Sequence, residues 1–255
     1  MKKLKLFFLT FLALMSVSNI ANAETVFLTS DDFVGISFWL VTIACLTASI
    51  FFFVERSSVP AGWRVSITVA GLINGIAFIH YMYMRELWIT TGELSIIYRY
   101  VDWLITTPLL MLEFYFVLAA INRAKSGMFW RLLVGAFVMM IGGYLGEADH
   151  INFIIGFIIV MAGWIYILYE LFSGVTGKAA AKSGNKVFVA AFVKMRMIVT
   201  VGWVIYPLGY VFSYVTGGGD ANSLNVIYNA ADFFNKIAFG LIIWVAATQS
   251  PGRIR

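Results

Sequence analysis

The chain has 255 residues, of which 61% are hydrophobic and 12% charged. Soluble domains carry about 25% charged residues, so this composition excludes a soluble globular protein. The net charge of +5 is not a nucleic-acid footprint, because the basic residues fall in short loops between apolar runs, and the single cysteine, Cys45, excludes an intramolecular disulfide. No CxxC or His/Cys cluster suggests a metal.

The N-terminus reads as a processing segment. Lys2, Lys3 and Lys5 precede a short apolar run, Leu6 to Val17, and Ala21-Asn22-Ala23 is an A-x-A cleavage site. Residues 1–23 are expected to be a cleaved signal peptide, with the mature domain at 24–255. The alternative, an uncleaved anchor, requires a longer apolar run. Seven apolar segments of membrane-spanning length follow, near 32–54, 61–85, 96–119, 129–146, 151–173, 189–216 and 222–247. The predicted fold is all-α: one seven-transmembrane-helix bundle with short connections. The loops after segments one, three and five carry Arg56, Arg64, Arg123, Lys125, Arg131, Lys178, Lys182 and Lys186, and the tail adds Arg253 and Arg255. The opposite loops carry Glu86, Glu93, Glu147, Asp149 and Asp220. The positive-inside rule then puts the N-terminus outside and the C-terminus in the cytoplasm, which agrees with the signal peptide. A multi-pass protein of the bacterial inner membrane is expected.

Within the first two segments, Trp39 and His80 are both readable as packing residues. His80 sits about 7.5 Å from the outer end, at a depth similar to that of Asp102 in the third segment, so a hydrogen bond between His80 and Asp102 is allowed. On the third segment, Arg99, Asp102 and Thr106 fall at i, i+3 and i+7 and share a face. Glu113 lies eleven residues beyond Asp102, about 20° off its direction and about 16 Å along the axis. Two carboxyls at different depths on one face suit a proton relay; they also suit two unrelated polar residues on a bundle-facing stripe. Pro108 between them is expected to bend the helix. Arg99 either snorkels outward or faces inward and holds Asp102 ionised.

The sixth segment carries Trp203, Tyr206, Pro207 and Tyr210 at i, i+3, i+4 and i+7. Such a stripe is either core packing or one wall for a flat conjugated ligand, with Trp103 as the opposing wall. The seventh segment places Asp232 and Lys236 deep in the apolar layer at i and i+4. An intramembrane ionisable residue is a functional-site hypothesis by default. The pair reads as a structural ion pair, or as an amine that condenses with an aldehyde cofactor beside a balancing carboxylate.

The stretches GISFWLV, GIAFIHYMYMR, YRYVDWLITTPLL, GYLGEA, GWVIYPLGY and LNVIYNAADFFNKI together resemble the microbial rhodopsins, and among them the proteorhodopsins of marine bacteria. The resemblance covers nearly all of the mature chain. It implies all-trans retinal bound covalently to Lys236 as a protonated Schiff base. It implies Asp102 as primary counterion and proton acceptor, Asp232 as second counterion and Glu113 as proton donor. Asp102, Thr106 and Glu113 match the family's proton-pump pattern; the chloride-pump and Asn-Asp-Gln sodium-pump patterns are not present. The implied function is light-driven outward proton pumping. The resemblance also favours a His80–Asp102 pair, and a homo-oligomer, pentamer or hexamer, in which Trp39 reaches His80 of a neighbouring copy. Leu110 occupies the colour-tuning position and resembles green-absorbing members. Asp149-His150 departs from the family pattern. Two rivals stand beside this reading: a photosensory receptor with a partner protein, and a seven-helix transporter without retinal.

Overall fold

The computed structural model describes residues 28–215 and 221–250. The expected signal peptide, Asp220, Arg253 and Arg255 lie outside the described residues. Among the described residues every element is helical, and seven helical spans are long and apolar enough to cross a membrane. They run Phe33–Glu55, Ala61–Thr91, Ile97–Ala120, Ser126–Glu147, Phe153–Ala181, Lys186–Phe212 and Asn222–Thr248.

The outer surface is apolar where that of a water-soluble protein is polar, and the apolar interior also holds charged and polar groups. Leu40, Ile79, Val101, Val134, Ile158, Leu208 and Phe234 point out of the bundle, whereas Asn74, Arg99, Asp102, Glu113, Asn229, Asp232 and Lys236 are buried. Apolar side chains lose nothing by facing lipid tails, while polar ones must find partners inside. Without a hydrophobic drive between helices, close packing matters more, and small residues supply it. Gly142 and Gly146, spaced as a GxxxG pair, let the fourth and fifth spans touch at the backbone. A Cβ on Gly156 would stand 2.8 Å from the Gly146 Cα. That approach also brings the Tyr210 hydroxyl to the Phe153 carbonyl, which accepts from it at 2.8 Å.

Four spans differ from their predicted outlines, each for a visible reason. The second continues six residues past 85 because Arg85 need not leave the helix: its guanidinium lies 4.5 Å over the Trp39 ring. It stops at Gly92, whose φ of +69° makes the left-handed C-cap that glycine adopts freely. The fifth breaks at Ser173-Gly174 and resumes as Val175–Ala181. The fully buried Glu170 organises that break, accepting from the Thr176 amide at 3.1 Å and the Thr176 hydroxyl at 3.0 Å. The sixth contains a tight 3₁₀ turn, Gly202–Val204, and the seventh a wide π turn, Phe233–Ala238. These two irregular turns are joined, since Asn235 Nδ2 donates to the Gly202 carbonyl at 3.3 Å. The third span, by contrast, stays helical straight through Pro108.

Glu170→Ala is expected to lower stability by about 1–3 kcal/mol, the cost of leaving the buried Thr176 amide unpaired. The exposed Arg131, 3.6 Å from the same carboxylate, adds little to that figure. Thermal denaturation in detergent measures it; an unchanged midpoint would show that the break does not depend on Glu170.

Candidate functional site

The seventh span presents polar residues at Asn225, Asn229, Asp232 and Lys236. Steps of four, three and four residues keep them within about 60° of one another on a helix. All four are buried. The π turn that contains Lys236 is a rare element that recurs at functional sites. Lys236 Nζ donates to Asp232 Oδ2 at 2.9 Å and is in close contact with Asp102 Oδ2. The sequence pair is therefore a trio: one buried ammonium between two buried carboxylates.

The two carboxylates are not equivalent. Asp232 also accepts from the Tyr206 hydroxyl at 2.7 Å, the Tyr81 hydroxyl at 2.9 Å and the Trp103 indole N–H at 3.2 Å. Asp102 Oδ1 is buried with no hydrogen-bond partner among the described residues. The Thr106 hydroxyl donates to the Asp102 backbone carbonyl, at 3.0 Å, rather than to its carboxylate.

Arg99 faces inward and is 1% exposed, which excludes snorkelling. Its guanidinium donates to Asn225 Oδ1 and Asn229 Oδ1, both at 2.8 Å, and to the Tyr81 hydroxyl at 3.2 Å. None of these bonds reaches Asp102; the Tyr81 hydroxyl instead links Arg99 to Asp232. The expected His80–Asp102 bond is not formed: among the described residues neither His80 Nε2 nor Asp102 Oδ1, both buried, has a hydrogen-bond partner. The His80 ring lies beside Tyr83, at 6.4 Å between centroids. Trp39 stands 44% exposed on the outside of the bundle. Tyr81, Asn225, Asn229 and Asn235 were missed as site residues. The stripe along the seventh span was the signal for the asparagines, while Tyr81 had only its place beside His80.

Glu113 is fully buried, on the Asp102 side of the third span but toward the basic end of the bundle. Neither of its oxygens makes a hydrogen bond of normal length; the Ser66 hydroxyl and the Ala70 backbone are the polar groups in its surroundings. Trp103, Leu110, Trp203, Tyr206, Pro207 and Tyr210 all line one pocket, which ends at Asp232, Asn235 and Lys236. Trp164, Met139 and Met140 complete its wall. Trp164 was missed; its indole N–H donates to the Val199 carbonyl at 3.0 Å, which fixes its ring in the wall. Glu147 also reaches this pocket, whereas Asp149 and His150 lie just beyond it at the end of the fourth span, with the His150 ring 6.1 Å from Tyr144. Among the described residues no group of His, Cys, Asp and Glu side chains is arranged to hold a metal ion.

The sequence profile of the bacteriorhodopsin-like proteins matches residues 32–250. The chain belongs to that family, among the proteorhodopsins. It is 51% identical over 221 residues to a blue-light absorbing proteorhodopsin of Gamma-proteobacterium Hot 75m4, covering 86% of this chain and 88% of the relative. It is 50% identical over 223 residues to a green-light absorbing proteorhodopsin of Gamma-proteobacterium EBAC31A08, covering 87% and 89%. The crystal structure of a blue light-absorbing proteorhodopsin from Med12 superposes with a TM-score of 0.73 at 47% identity, covering 85% of this chain and 98% of that one. Proteorhodopsin relatives of both colours are thus about equally similar to this chain, so overall identity does not decide its colour.

Proposed function

We propose that this proteorhodopsin-family protein is a light-driven outward proton pump with all-trans retinal bound covalently at Lys236. One observation carries the reading: Lys236 sits between two unequal buried carboxylates, with Glu113 placed separately toward the basic end. The pocket fits the cofactor's chemistry. It is walled by Trp103, Trp164, Trp203 and Tyr206 and reaches the Lys236 amine, which is buried between two carboxylates. An apolar, flat-walled pocket with a few polar groups at one end suits a conjugated aldehyde. When bound as a Schiff base, retinal supplies light absorption and a light-driven change of shape at Lys236.

The chain's own residues then give direction. Asp232 already accepts three hydrogen bonds from neutral donors. Asp102, whose Oδ1 is unpaired, is the better place for a proton leaving Lys236 Nζ. Arg99 and the asparagines beyond it lie on the acid-rich side, which loop charge assigns to the exterior. Glu113 returns a proton to Lys236 Nζ from the basic, cytoplasmic side. The buried donor group favours a pump over a photosensory receptor, which has no need of rapid reloading. The test is the pH of a suspension of cells making the protein with retinal. External acidification on illumination, abolished by a protonophore, is expected; no light-induced change, or alkalinisation, would refute the reading.

Colour is proposed to be green, from Leu110. This residue is 4% exposed and lines the pocket with Trp103 and Lys236. Leu110→Gln puts a dipole beside the chromophore and should move the visible band to shorter wavelength. An absorption spectrum decides this, and an unmoved or red-shifted band would reject Leu110 as the tuning position.

A further inference from the structure

Asn74 is a fully buried amide that the mechanism above does not use. Its Nδ2 donates to the Ala70 carbonyl at 2.9 Å, and its Oδ1 has no hydrogen-bond partner among the described residues. Buried carbonyls without partners are uncommon and call for a reason. Its position along the bundle supplies one. Ala70 meets the seventh span at Gly240, where a Cβ would stand 3.2 Å from the Ala70 Cβ. The second and seventh spans run in opposite directions. Asn74 is four residues from Ala70 and Lys236 is four from Gly240, so both lie one turn beyond that contact, on the same side. Toward the basic end, the Ala70 backbone and the Ser66 hydroxyl stand near Glu113. Toward the acid-rich end, Tyr81 is seven residues from Asn74 on the same face and donates to Asp232. At ~1.5 Å per residue, Glu113 lies about 10 Å from the basic end of its span, and Asn74 and Lys236 each about 18–20 Å from theirs. Asn74 therefore occupies the level to which a proton from Glu113 must climb.

We propose that Asn74 is a positioning residue for the return of the proton from Glu113 to Lys236 Nζ. Its free Oδ1 accepts a hydrogen bond from the water molecule that carries the proton across this gap. The balance is simple: the Glu113 carboxyl loses one proton, Lys236 Nζ gains one, and Asn74 stays neutral. The inference rests on the pump reading and on Glu113 as donor.

The test compares Asn74→Leu, close in size but without the acceptor, with Asn74→Ser, which keeps one. In the retinal-bound protein, flash spectroscopy should show the proton-return phase about tenfold slower in Asn74→Leu, the effect of losing one hydrogen-bonded station. The loss should be largest at alkaline pH, where bulk protons are scarce, and Asn74→Ser should recover most of the rate. The dark absorption band should be the same in all three. In the retinal-free protein, the infrared carboxyl band that disappears in Glu113→Gln should move to higher wavenumber in Asn74→Leu, because the carboxyl loses its hydrogen-bonded chain. A merely structural role would lower thermal stability without moving that band. A normal return rate with an unmoved carboxyl band in Asn74→Leu overturns the inference. Glu113→Gln, run in parallel, separates the layers. If it slows return while Asn74→Leu does not, only the role of Asn74 fails. If it leaves return unaffected, the donor assignment fails and takes this inference with it.

Discussion

Lys236→Ala should yield a protein with no visible band after incubation with retinal, and no light-induced proton movement. The variant removes the amine that condenses with the aldehyde, so loss should be complete rather than graded. It also leaves Asp102 and Asp232 facing each other without their cation. Breaking a buried ion pair by deleting one partner costs about 3–5 kcal/mol, so poor folding alone would mimic the result. Lys236→Arg resolves this. A guanidinium keeps the positive charge between the carboxylates but forms no covalent link of this kind, so this variant should fold and remain colourless. A normal visible band in either variant would refute attachment at Lys236.

Asp102→Asn and Glu113→Gln should fail in different ways. Asp102→Asn removes half of the counter-charge and the proton's first destination. Its band should sit at longer wavelength at every pH, and outward pumping should fall by at least about a hundredfold, the usual scale for losing a positioned proton-transfer group. In the unmodified protein, acidification should produce the same red shift as the carboxylates take up protons. Because Asp102 and Asp232 both touch Lys236, that titration belongs to the cluster and not to one side chain. Glu113→Gln should keep the original colour, since Glu113 takes no part in the trio at Lys236. It should slow only the return of the proton, again by about a hundredfold. Flash spectroscopy paired with light-induced pH change in cells checks both. Undiminished pumping by Asp102→Asn, or a normal return rate in Glu113→Gln, would overturn the assigned roles.

Much of this was legible in the sequence because membrane helices obey strong rules. Length and hydropathy alone located all seven spans, and charges in apolar runs pointed to Asp102, Glu113, Asp232 and Lys236. Helical phase was enough to put Trp203, Tyr206, Pro207 and Tyr210 on one pocket wall. Phase fails where the helix is not α-helical, so the 3₁₀ turn at Gly202 and the π turn at Lys236 were not foreseen. Depth is also a weaker guide than direction. His80 and Asp102 have similar depth, yet within one chain they do not bond. Arg99 was expected either to snorkel outward or to face inward; it faces inward, and its bonds go to Tyr81, Asn225 and Asn229, none of which had been named for it. A side chain as long as arginine selects among several neighbours, and the helix wheel of its own span does not contain them.

The partners of Arg99 and Asp102 have a further consequence, for how the chain is made. Asn225, Asn229 and Lys236 lie 126 to 134 residues downstream of the groups they bond. At about 5–20 residues per second of synthesis, the third span waits roughly 6–27 s for them. Throughout that interval an arginine and an aspartate in an apolar segment lack the partners they have in the finished bundle. The ribosome thus delivers the compensating charge last, and the final span closes the bundle as well as completing the site. A nascent chain released before that point carries its most costly residues unpaired in the bilayer.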